Sequence, residues 1–282
     1  MKKPYYIIIS ILSIAVIFSC TERIDIKLDD SSVRLVVDGA ITTETKVHQI
    51  SLSKTTSYFY NQKSPYVTGA SVSVSTGTRE IQFHEANPGI YQTDSTFVGR
   101  SGRTYTLNIK LDTPVGGYTD YSATSSMTET VKLDSIDLVF HPEWSEEGFW
   151  EVRSFFQDPK SEEYYRFLIY RNGQMITDTL DEWFVSDDRF FNGSYLYGAS
   201  VAFLDQGSER EKIESGDEIT VEMNSVSREY AGFLWEAQSE LWGSNPLFSG
   251  PPANVKGNIS NGAIGFFATY SISRASAKAG KK

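Results

Sequence analysis

Residues Tyr164 to Leu180 read YYRFLIYRNGQMITDTL, two runs rich in aromatic and branched side chains joined by Asn172-Gly173. A type I′ turn needs a positive φ at both central positions, and Asn-Gly supplies this at little steric cost, so the stretch predicts a β-hairpin. Its surroundings carry the same signature. Upstream, Val131, Leu133, Ile136, Leu138 and Phe140 make an extended pattern; downstream, Glu218 to Met223 reads as a further strand.

Towards the N-terminus, apolar residues mostly recur at every second position between Val33 and Thr124. Val33, Leu35 and Val37 begin the pattern, Val47, Ile50 and Leu52 follow, Val72 and Val74 alternate with serines, and Tyr105, Leu107, Ile109 and Leu111 close it. Period two places one set of side chains on one face of a sheet. Turn formers separate the runs: Asp38-Gly39, Thr76-Gly77, Asn87-Pro88-Gly89, Ser101-Gly102 and Gly116-Gly117. The fold class is therefore mainly β, with an immunoglobulin-like or transthyretin-like β-sandwich over residues 33–125.

Residues 131–274 then form a second β-rich domain with one amphipathic helix near 227–242. Tyr230, Phe233, Leu234, Ala237 and Leu241 fall at spacings of three and four, which gives one apolar stripe. Ser227 suits the N-cap, Glu229 the positive end of the helix dipole, and Gly243 the stop. A final strand is expected from Phe266 to Ile272. Residues 275–282, small and basic, are expected to be a flexible tail.

The first residues have a different character. Lys2 and Lys3 precede an apolar run from Tyr5 to Phe18 that ends at Ser19-Cys20, the pattern of an export signal with a cleavage site. The run is short for a membrane span, which needs roughly 20 apolar residues. Residues 1–19 are thus expected to be a lipoprotein signal peptide. Cys20, the sole cysteine, becomes the acylated first residue, and residues 20–32 form a charged tether. An acyl chain gains about 0.8 kcal/mol per buried CH₂, so several chains, palmitate among them, hold a protein at the membrane almost permanently.

With 40% hydrophobic and 13% aromatic residues the chain has ample material for a core. Loss of Lys2 and Lys3 with the signal takes the formal charge from −10 to −12, and such a surface repels nucleic acid. No nucleic-acid partner is expected.

Residues that could do chemistry are few. The histidines are His48, His84 and His141, and none lies in a recognised nucleophile or zinc motif. His141 with Glu143, Glu146 and Glu147 reads first as a charged loop, with a shared metal ion as the alternative. Asp187, Asp188 and Asp205 read as turn carboxylates before they read as calcium ligands. Thirty-six acidic residues always offer some pair for glycoside cleavage, so a surface hydrolase stays open. Neither catalytic residues nor cofactor nor metal are assigned. Tyr58, Phe59, Tyr60 and Tyr66 lie in a turn-rich segment, read as a packed loop or as a contact surface.

Five stretches carry a resemblance: LVVDGAITTETKVHQISLSKTTSY from Leu35, VTGASVSVS from Val67, GIYQTDSTFVGRSGRTYTLNI from Gly89, GDEITVEMNSVSREYAGFLW from Gly216 and PPANVKGNISNGAIGFFATYSISR from Pro251. On these the chain resembles a large family of Bacteroidota outer-membrane lipoproteins of unknown function, whose genes commonly lie beside those of TonB-dependent receptors. The resemblance implies a lipid-anchored outer-membrane protein, with the periplasmic side and the cell surface both open to it. It would be a non-catalytic accessory that helps a TonB-dependent receptor to capture a small nutrient or ion. It also implies O-glycosylation at Asp-Ser/Thr-apolar triplets, which puts Ser135 and Thr179 forward. The alternatives are an adhesion or envelope-structural lipoprotein and the surface hydrolase.

Overall fold

Strands account for most of the computed structural model, which describes residues 33–56, 64–94, 96–241 and 255–281. The signal peptide, Cys20, the tether, Tyr58 to Tyr60 and Gly243 lie outside the described residues. In chain order the elements begin with β1 (Leu35–Thr42), β2 (Gln49–Lys54), β3 (Ser71–Ser75), β4 (Glu80–Asn87), β5 (Ile90–Gln92), β6 (Thr104–Val115) and β7 (Tyr118–Ser126). They continue with β8 (Leu133–His141), β9 (Phe149–Gln157), β10 (Tyr164–Arg171), β11 (Gln174–Met175), β12 (Phe184–Asp187), β13 (Tyr195–Asp205) and β14 (Glu218–Val226). Helix α1 (Arg228–Leu241) and β15 (Ile264–Lys278) end the chain.

Among the described residues, twelve strands belong to one hydrogen-bonded sheet in the order β11-β10-β14-β15-β1-β2-β5-β4-β3-β6-β7, with β12 also paired to β10. A second sheet has the order β13-β9-β8. The long path folds back on itself: Val37 and Leu52 share one apolar core with Val74, Leu107 and Ala123 from its far end. A second core joins the two sheets, with Trp150, Val152, Phe156 and Leu204 meeting Tyr165, Phe167, Ile169, Val221 and Met223.

The hairpin forms as its sequence predicts, with Asn172 at φ 51°, Gly173 at φ 80° and Arg171 opposite Gln174. Continuous burial along β10 has a plain cause. One face of the β10-β14-β15 slab is covered by the second sheet and the other by α1, so Tyr164, Arg166 and Leu168 are buried as well as Tyr165, Phe167 and Ile169. Helix α1 starts as expected, with Ser227 Oγ accepting from Tyr230 N at 3.2 Å.

Strand β15 serves both halves of the chain. Its first half runs parallel to β1, from Val36 beside Ile264 to Thr42 beside Tyr270. Its second half runs antiparallel to β14, from Ser225 opposite Ser271 to Glu218 opposite Lys278. Gly265 makes the first pairing possible, because at φ 101° a Cβ there would sit 1.9 Å from the Val37 carbonyl oxygen.

Two expectations need correction. The tail from Ala275 is strand rather than loose chain as far as Lys278, and Ala279 beyond it is buried. Ala275, Ala277 and Ala279 keep a period of two that packs on the second core. Their low strand propensity hid it. Asp38-Gly39, read as a turn, lies inside β1. A Cβ on Gly39 would fall 2.7 Å from Ile50 Cγ1 on β2, so this glycine answers to packing between strands.

Candidate functional site

Alternation along β1 sends Leu35 and Val37 into the first core and leaves Val36, Asp38 and Ala40 to the opposite side. There, between β1, the β1–β2 connection, β15 and α1, lies a cavity of about 560 Å³. Its wall includes Asp38, His48, Arg166, Trp183, Tyr230 and Tyr270.

Arg166 enters from β10, opposite Asn224 on β14. Its Nε and Nη2 donate to Asn224 Oδ1 at 2.9 and 2.6 Å, and Nη1 donates to the Tyr230 hydroxyl at 3.1 Å. The guanidinium carbon lies 4.7 Å from the centre of the Trp183 ring, 4.6 Å from Tyr270 and 5.6 Å from Tyr230. Rings at these distances stabilise a desolvated cation through their quadrupoles. Burial opposes the charge, but Tyr230, Tyr270 and Glu222 hold the Arg166 pKa above its ordinary value. No carboxylate forms an ion pair with Arg166 among the described residues.

Helix α1 fixes this box. Gln238 is buried and its amide donates to the carbonyls of Leu180 and Trp183 at 2.9 and 2.7 Å, while Trp235 Nε1 donates to Val185 O at 3.2 Å. Tyr230 packs on Phe266 at 5.1 Å between ring centres and lies parallel to Tyr270 at 6.2 Å. Burial pushes the Tyr230 hydroxyl up to about 12, so it keeps its proton at neutral pH.

Asp38 lines the cavity from β1, in the same sheet as Arg166, exposed to solvent yet hemmed in by protein. Lost hydration raises its carboxyl above the ordinary 3.8, against the pull of Arg166. Among the described residues it forms no ion pair. His48 is fully buried, with its ring edge-on to Phe97 at 5.3 Å between centres, and its main-chain N–H donates to Thr93 Oγ1 at 2.9 Å. Burial and the charge of Lys46 push its imidazole below 6.5. Beside the cavity, Arg274 bridges Glu44 and Glu222. Burial alone would raise the Glu44 carboxyl, but hydrogen bonds from Arg274 and Lys46 bring it below 4.5.

The residues singled out from sequence lie elsewhere. Ser135 is exposed on β8, and Thr179 is exposed ahead of a 3₁₀ turn, Leu180–Glu182, with its N–H on Glu182 Oε2 at 3.1 Å. His141 stacks on Trp144 at 3.8 Å; its Nε2 meets Glu151 at 2.9 Å and its Nδ1 meets Glu143 at 3.4 Å. Ser200 also donates to Glu151. Asp188 accepts from Glu163 N, 25 residues earlier, at 2.9 Å and so ties two segments together, whereas Asp187 pairs with Arg189 at 2.7 Å and Asp205 accepts from Gly207 N at 2.9 Å, each within its own turn. Among the described residues no group of three histidine, cysteine or acidic side chains could hold a metal ion. No described helix is long and apolar enough to cross a membrane.

Sequence reasoning passed over Asp38, Arg166 and Tyr270. A signal was present: a charge in the middle of YYRFLIY must be buried with whatever satisfies it. The polar residues of the C-terminal stretch turn out to hold the main chain. Asn258 accepts from Phe267 N and donates to Phe267 O, both at 2.9 Å, and Asn261 donates to Asp120 O at 2.7 Å.

Residues 21–276 match the family described as Domain of unknown function (DUF4249), and the chain belongs to that family. No curated protein matches it.

Proposed function

We propose that this member of a family without an assigned activity is a lipid-anchored outer-membrane protein. In this reading it captures a small ligand, without catalysis, for a TonB-dependent receptor. The observation that carries it is the cavity under α1. Its volume lies in the range of small-molecule sites, roughly 300–1,000 Å³, and its wall combines aromatic rings with a few polar groups, as such sites do. The apolar run before Cys20 supports the anchor. The receptor partnership rests on the resemblance alone. Mild detergent extraction after cross-linking should co-purify a large β-barrel; repeated failure removes the partnership. Cys20→Ala should block processing; a variant that is still processed and partitions with the membrane as before removes the anchor. The same reading brings O-glycosylation at Ser135 and Thr179, both exposed, and unchanged peptide masses there remove it.

An adhesive or structural role has one observation in its favour. The outer surface of the β13-β9-β8 sheet shows Tyr197 at 84% exposure and Phe203 at 51%, with Trp144 beside Phe203. Growth of a deletion strain separates the two readings. Capture predicts impaired growth on limiting nutrient with attachment intact, and adhesion predicts the reverse.

A further inference from the structure

The lining of the cavity carries two opposite charges that form no ion pair with each other. Arg166 is buried within its ring box on β10, and Asp38 stands exposed on β1 of the same sheet; the charge of Arg166 reaches Asp38, yet neither forms an ion pair among the described residues. Arg166 is a buried cation without an ion-pair partner and Asp38 a carboxylate whose charged form is disfavoured by lost hydration, so a ligand that brings an anion to the first and a cation to the second adds a partner at each. A simple anion would satisfy Arg166 and be repelled by Asp38, and a simple cation would do the reverse.

The hydrogen-bonding groups agree with this. The Tyr230 hydroxyl accepts from Arg166, which leaves its own O–H to give to a ligand oxygen. Tyr270, whose ring also packs on the guanidinium, lines the same wall. Phe233 and Phe266, 5.1 Å apart between ring centres, provide an apolar surface next to these groups.

We propose that the cavity binds amino acids or short peptides as zwitterions. The ligand carboxylate lies at Tyr230 and Tyr270 beside Arg166, its ammonium at Asp38, and an apolar side chain against Phe233 and Phe266. This deepens the capture reading and rests on it. The test uses the full-length protein in mild detergent and calorimetric titration with the dipeptide Phe-Ala, its N-acetyl form and its C-terminal amide. Phe-Ala binds, and each blocked form binds at least about tenfold more weakly, a difference of about 1.4 kcal/mol. Asp38→Asn erases the penalty for N-acetylation and keeps that for amidation, whereas Tyr270→Phe lessens only the penalty for amidation. Because each variant reads a different end of the ligand, either one tests the proposal if the other fails to fold. Absence of binding at about 10 mM Phe-Ala overturns the inference. So does equal binding of the blocked forms, or an N-acetyl penalty that survives Asp38→Asn. Peptide binding can fail while the barrel still co-purifies, which removes the ligand class alone; binding without co-purification removes the receptor alone.

Discussion

The two faces of the β10-β14-β15 slab are built from the same strands and differ in almost everything else. Towards the second sheet they present Tyr165, Phe167, Ile169, Val221 and Met223, packed against Trp150, Val152 and Phe156. Towards α1 they present Arg166, Asn224, Glu222 and Arg274, tied together by hydrogen bonds and ion pairs. The apolar face needs nothing beyond shape to be stable. The polar face holds a buried cation that apolar residues of similar volume could replace at little cost in stability. We read the first face as the scaffold and the second as the part shaped by a ligand.

The comparison breaks most visibly on the apolar side. Phe167→Ala should cost about 3–5 kcal/mol in a denaturant titration, the usual loss for a buried phenylalanine. A smaller effect follows from removing residues 275–282. This deletes four positions of the β14–β15 ladder, at about 0.5–1.5 kcal/mol for each hydrogen bond, and should lower stability by a few kcal/mol. Unchanged stability would show that the end of the chain is a tail after all.

On the polar face the expected stability effects shrink while the binding effects grow. Arg166→Met strips Asn224 Oδ1 of its donors, a loss of about 1–3 kcal/mol that relief of the buried charge partly offsets. Its melting temperature should therefore fall less than that of Phe167→Ala. If it falls more, the arginine is structural and the division of the slab fails.

Smallest of all is the effect of Asp38→Asn, and its sign is the informative part. The folded-state pKa of Asp38 is raised, so the folded protein holds this proton more tightly than the unfolded chain does, and stability falls as pH rises through the ordinary 3.8 and beyond. Asp38→Asn should thus be slightly more stable than the parent at neutral pH and indistinguishable from it well below pH 3.8. Glu44 behaves oppositely. Its lowered pKa adds stability that is present above 4.5 and lost in acid, so Glu44→Gln should flatten the acid limb of the stability curve.

Much of the scaffold was legible in the sequence, because period-two alternation, an Asn-Gly turn and a capped apolar stripe are local signals. Helix α1 and the β10–β11 hairpin appear where those signals place them. What escaped was set by tertiary contact. Strand β13 shifts register twice against β9, between Tyr197 and Ala199 and between Ser200 and Ala202, so its alternation is broken. Asp38-Gly39 has the composition of a turn, and only the approach of Ile50 shows why a strand needs glycine there. The site was hidden for a related reason. Asp38 and His48 lie far in the chain from Arg166 and Tyr270, and the pairing of β15 with β1 on one side and with β14 on the other brings them around one space.

A photoreactive dipeptide, p-benzoylphenylalanyl-alanine, would test the central claim most directly when irradiated with the full-length protein and mapped by peptide mass spectrometry. The adduct should fall on residues of the cavity wall, Tyr230, Phe233 or Phe266, and disappear with excess Phe-Ala. Labelling confined to Trp144, Tyr197 and Phe203 on the outer sheet, or labelling that excess dipeptide leaves unchanged, would contradict it.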